Sequence, residues 1–139
     1  MKVYKMSDRI KVKIEDITLH ISPLNLEQKA DIGNDLVDFQ VTKDVRSYSK
    51  AIVKAVCFAL KDIEGVEDSD GQFKLRFDEN GNVDIEDVEL LLNSDLSDKI
   101  GASCMAFINS IPKEIRGEDG KPLEGVEILN PLLQTPKKK

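Results

Sequence analysis

The sequence predicts an α+β domain, an N-terminal β-hairpin and a third strand packed with about four helices, followed by a flexible C-terminal tail. Three observations carry this. Residues Arg9 to Ile21 alternate apolar and polar with period two, the mark of a half-buried ribbon. From Val45 to Ile63, apolar side chains recur at three and four, the period of an amphipathic helix. Beyond Pro112 the segment Arg116 to Lys121 carries two glycines and no apolar residue, as a linker does. The domain is therefore placed at residues 1–112. Residues 113–139 form the linker and tail, with a short apolar docking segment.

Ile10, Val12 and Ile14 point one way, and Ile17, Leu19 and Ile21 repeat this after the turn Glu15-Asp16. Ser22-Pro23 ends the second strand, because proline has no N–H for a ladder. Asn25 then caps a helix, with Gln28 in the capping-box position. That helix is expected to reach about Phe39 and to bury Leu26, Ala30, Gly33, Leu36 and Val37. Gly33 costs about 1 kcal/mol relative to alanine there, which a closely packed neighbour would explain.

The second helix is expected over residues 43–62, with Val45, Tyr48, Ile52, Ala55, Val56, Ala59, Leu60 and Ile63 as its stripe and Gly65 beyond its end. Phe73, Leu75 and Phe77 alternate with Lys74 and Arg76, which predicts the third strand. Asp84 caps a short helix over residues 85–92. A fourth helix starts at Ser94 or Ser97, carries Leu96, Ile100, Cys104, Phe107, Ile108 and Ile111, and stops at Pro112. In the tail, Val126, Ile128, Leu129, Leu132 and Leu133 cluster around Asn130-Pro131, to fold back on the domain or dock on a partner.

Composition removes several functions. Twenty basic against 26 acidic residues give a net charge of −6, the wrong sign for a nucleic-acid module. No apolar run approaches the ~20 residues of a membrane span. The first residues lack a signal-peptide stretch, which predicts a cytosolic setting. One histidine and two cysteines form no metal cluster. Cys57 and Cys104 sit among apolar neighbours and read as reduced, buried thiols. His20 falls on the polar side of the second strand and reads as a surface imidazole.

Residues 78–89 match an EF-hand loop at several points: Asp78, Asn80 and Asn82 at positions one, three and five, and Glu89 at twelve. Position six, however, is Val83, where the loop needs a glycine, and the entering segment alternates like a strand. A turn with a solvated acidic rim accounts for the same residues; a weak calcium-binding module is the lesser alternative. Phosphate loops and nucleophile elbows are missing, so no catalytic residue, metal ligand or cofactor is expected. Lys137, Lys138 and Lys139 are too few for a polybasic membrane tail.

The hairpin of residues 9–21, followed by Ser22-Pro23-Leu24-Asn25-Leu26-Glu27-Gln28-Lys29 at the helix start, resembles the tail assembly chaperones of long-tailed bacteriophages. Those small acidic proteins begin with a hairpin and a "Pro-Leu-Thr-Leu"-like helix start. Asn25 stands here where threonine is common. The likeness is specific over residues 9–37 and architectural beyond them.

The resemblance implies a non-enzymatic protein that binds and solubilises the tape measure protein and recruits tail tube subunits. It also implies self-association, a place in the host cytoplasm and absence from the mature virion. Family members are often also made in a C-terminally extended form by ribosomal frameshifting, which an A-rich site at Lys137–Lys139 would suit. The alternative is a phage structural accessory, in the tail or the head–tail connector, that stays in the particle. The family fixes no binding residue, so contact surfaces come from the apolar pattern. The helix residues Val45, Tyr48 and Ile52 are one candidate set; Ile128, Leu129, Leu132 and Leu133 are the other.

Overall fold

The alternating residues at the start of the chain form the expected hairpin in the computed structural model, which describes residues 5–108 and 112–129. Strands β1 (Ile10–Ile14) and β2 (Ile17–Ile21) pair antiparallel, with Ile14 opposite Ile17 and Ile10 opposite Ile21. Their tight turn requires a left-handed residue, and Glu15 supplies it at φ 55°. All six isoleucine, valine and leucine side chains named for the ribbon's apolar side are buried. The other side keeps Lys11 and Lys13 exposed.

Helix α1 (Leu26–Thr42) opens with the full capping box: Gln28 N–H donates to Asn25 Oδ1 at 2.8 Å, and Asn25 N–H to Gln28 Oε1 at 3.0 Å. It ends at Lys43, whose φ of 62° turns the chain and whose N–H still donates to the Phe39 carbonyl. Helix α2 (Val45–Ala59) is capped by Asp44, which accepts from Arg46 N–H at 3.0 Å. After it come β3 (Leu60–Glu64), the small ribbon of β4 (Glu67–Asp68) and β5 (Gly71–Gln72), helices α3 (Ile85–Leu92) and α4 (Ser97–Ala106), and β6 (Val126–Ile128).

The main sheet has the order β3-β2-β1-β6, antiparallel throughout. Helices cover its apolar side: α4 touches β1 and α2, and α2 in turn holds α1, α3 and α4. Ala51, Ala55, Val56 and Ala59 of α2 meet Ile100 and Cys104 of α4 in one core with the strand residues. The architecture is thus α+β, with four helices among the described residues.

Three expectations about the elements change. The long helix ends at Ala59, and Leu60 and Ile63 belong to β3 instead. Ile21 pairs with Leu60 while His20 pairs with Asp62, so Lys61 is an extra residue in the ladder. That bulge sends both Leu60 and Ile63 into the core at a spacing of three, which imitates a helix.

The strand expected over residues 73–77 does not form. Phe73 is buried and Leu75 half-buried, but the segment enters no sheet beyond one bridge between Phe77 and Val83. The third strand of the sheet is β3.

The stretch after Pro112 is also tied to the domain rather than standing apart as a linker. Ile115 is buried in the core, Gly125 carbonyl accepts from Glu15 N–H at 2.8 Å, and Val126 and Ile128 pair with Ile14 and Val12. Ile111 lies outside the described residues.

Candidate functional site

Helix α1 carries the largest departure from the expected packing. Of the residues expected to be buried, Leu36 packs partly on the core and Gly33 is half-buried, whereas Leu26, Ala30 and Val37 turn outward. Leu26, Ala30, Gly33, Val37 and Val41 follow at steps of four, three, four and four, so they stack on one face. Leu26 is 83% exposed, Val37 58% and Val41 77%. Only Ile32 of the helix is buried, with Leu36 half-buried beside it on the far face. Gly33 makes no close approach, since a Cβ placed there would meet nothing within 4 Å.

The reason is polar. The side of α1 against α2 carries Asp31 and Asp35, and Lys54 of α2 reaches both, at 2.6 and 2.8 Å. Their hydrogen bonds, Asp31 first, hold the Lys54 ammonium above its ordinary value. Asp38 accepts from the Ser47 hydroxyl one turn further along. Three carboxylates thus choose the inner face, and the apolar face is left to water. Exposed apolar residues in a contiguous row on a small domain mark contact surfaces.

Of the candidates read from the second helix, Val45 is 68% exposed at the start of α2. Tyr48 is half-buried, its ring centroid 5.3 Å from that of Phe39. Burial, and next the Glu118 carboxylate, push its phenol above the usual range. Ile52 is half-buried too and packs on Gly101 of α4, where a Cβ would lie 3.1 Å from its Cγ2. Tyr48 and Ile52 are thus each partly covered by a neighbour in the fold.

In the second candidate set, Ile128 is half-buried against the core and Leu129 is exposed. Leu129 N–H donates to the Lys11 carbonyl at 2.8 Å. Leu132 and Leu133 lie outside the described residues.

Residues 78–89 adopt a turn of another kind. Asp78 Oδ1 accepts from Asn80 N–H at 2.8 Å and Asn82 N–H at 3.0 Å, and Gly81 takes the positive φ of 80°. Val83 is buried, and its N–H donates to the Cys57 carbonyl. Asp84 caps α3 through Glu86 N–H at 2.9 Å. The segment before the loop is not a helix, so the entering arm of an EF-hand is missing. Among the described residues, no group of three or more histidine, cysteine or acidic side chains is placed to hold a metal ion.

One charged residue escaped the sequence reading. Asp87 is buried on the α3 face that also carries Val88 and Leu91, a spacing that places an acid on an apolar stripe. Arg76 answers it with Nη2 to Oδ1 at 2.9 Å and its backbone N–H to Oδ2 at 2.7 Å. His20, expected at the surface, is mostly covered and meets Glu64 Oε2 at 2.5 Å across the sheet. Both cysteines are free; burial pushes Cys57 up to about 11 and Cys104 to about 12.

No helix among the described residues is long and apolar enough to cross a membrane. Comparison with known proteins finds no matching family model, no matching curated protein and no matching solved structure.

Proposed function

We propose that this protein is a non-enzymatic chaperone of phage tail assembly, which covers apolar stripes on the helical tape measure protein and brings tail tube subunits to it. The observation that carries the reading is the outward apolar face of α1, from Leu26 through Val37 to Val41. A helix that spends its polar side on its own domain and offers its apolar side outward suits a partner with a stripe of its own. The helix-start part of the motif that resembles the phage chaperones leads into this helix, so the likeness and the exposed surface adjoin. In this reading the protein acts in the host cytoplasm and leaves before the virion is complete.

Co-expression tests it. A phage tape measure polypeptide is produced alone, with this protein, and with the triple variant Leu26→Ser, Val37→Ser, Val41→Ser. The expected result is a soluble tape measure with the native protein and an insoluble one with the variant. Equal solubility in all three cultures contradicts the proposal. Mass spectrometry of purified virions separates it from a structural accessory, which would remain in the particle.

A further inference from the structure

We propose that Gly33 marks the point where an α-helix of the partner crosses α1, its backbone closer than helices usually pack. This contact lies within the face given to the tape measure protein above, and it rests on that reading.

A glycine inside a helix weakens it relative to alanine, because the unfolded chain has more freedom to lose. The chain has eight glycines, and seven of them answer a need of the fold. Five take a positive φ, which a side chain resists. At Gly101 and Gly117 a Cβ would come 3.1 Å from the side chains of Ile52 and Leu123. Gly33 has neither reason. It lies in the middle of α1 without a positive φ, and a Cβ there would meet nothing within 4 Å. Whatever needs the bare backbone at this position comes from outside the domain.

The open space belongs to the outward apolar face. Gly33 sits between Ala30 and Val37, with Leu26 and Val41 beyond them, and all four side chains are exposed. The face is thus notched near its middle and ridged towards its ends. Helices pack by setting the ridges of one into the grooves of the other, with axes usually about 8–10 Å apart. A missing Cβ at the crossing lets a helix come nearer and seat one side chain in the notch. The weakness that Gly33 brings to the free protein is then offset in the complex.

Charge gives the partner helix its direction. Glu27 is exposed at the Leu26 end of the face, and Lys43 at the Val41 end. Among the described residues neither takes part in an ion pair. The helix that fits carries cations towards Glu27 and acids towards Lys43, beside an apolar stripe of its own.

Competition tests it. Native protein and Gly33→Leu are co-expressed with one phage tape measure polypeptide, and the complex is isolated through a tag on that polypeptide. Mass spectrometry then reads the ratio of the two forms. Native protein should be retained at least about tenfold over Gly33→Leu. Against Glu27→Lys it should win by a smaller factor that disappears in high salt. Urea unfolding of the free proteins should show Gly33→Leu at least as stable as native, since leucine favours a helix and the space is open. Equal retention of Gly33→Leu would overturn the proposal while leaving the chaperone reading intact. Native protein that retains no tape measure would remove that reading, and the crossing with it. A Gly33→Leu variant that unfolds more easily would show that the fold itself needs the space, and equal retention of Glu27→Lys at every salt concentration would overturn the assigned charge pattern. If Gly33→Leu loses self-association in sedimentation yet keeps the tape measure, the occupant is a second copy and the proposal fails.

Discussion

Asp87 holds the region between Phe73 and α3 together. Burial pushes its carboxyl up, but the Arg76 side chain and backbone N–H together hold it below the ordinary carboxylate range. A depressed folded value means that the stabilisation is present above the unfolded value near 4 and is lost as pH falls through the folded one. Asp87→Ala should cost about 2 kcal/mol in urea unfolding at pH 7, with Arg76 left unpaired. Near pH 2 native and variant should converge; an unchanged gap there would contradict this role. Two glycines make an opposed pair. Gly65 has φ 89°, and a Cβ would stand 2.6 Å from the Asp16 carbonyl oxygen, so Gly65→Ala should destabilise. Gly33 is helical with open space around it, so Gly33→Ala should stabilise by roughly 0.5–1 kcal/mol, read as a higher denaturation midpoint.

Among the elements, those whose signals are local were readable in advance. The hairpin followed from alternation, and the starts of α1 and α3 from Asn25 and Asp84, because a cap acts within one turn. Where tertiary partners decide, the sequence misled. The bulge at Lys61 gave β3 a helical spacing, and the alternating residues 73–77 found no strand to pair with. For α1 the period was right and the side was wrong, since Lys54, well over a turn away in another helix, selects which face turns inward. Point substitutions distinguish the two faces. Ile32→Ala should cost about 2–5 kcal/mol, as a buried isoleucine does. Leu26→Ser or Val41→Ser should change stability by only about 0.5 kcal/mol. A large loss at Leu26 or Val41 would mean that the stripe is core after all.

For the whole molecule, the sequence carried the fold class, whereas the candidate surface was half legible. Its residues were visible as a stripe, but their exposure depends on how complete helices pack. The thiols report on that packing. Thiolate is the reactive form, and burial raises both cysteines far above neutral pH. Folded protein at pH 7 should react slowly with a thiol reagent at both sites and rapidly in denaturant. Fast labelling of Cys104 under native conditions would show that the α2–α4 core opens readily.

The proposed function places another polypeptide on the outer face of α1. Hydrogen exchange of this protein, free and in complex with the tape measure polypeptide, tests that face directly. Slower exchange is expected over residues 26–45 in the complex, with Gly33 and Val37 inside the protected stretch. Unchanged exchange across α1, with protection confined to other elements, would contradict it.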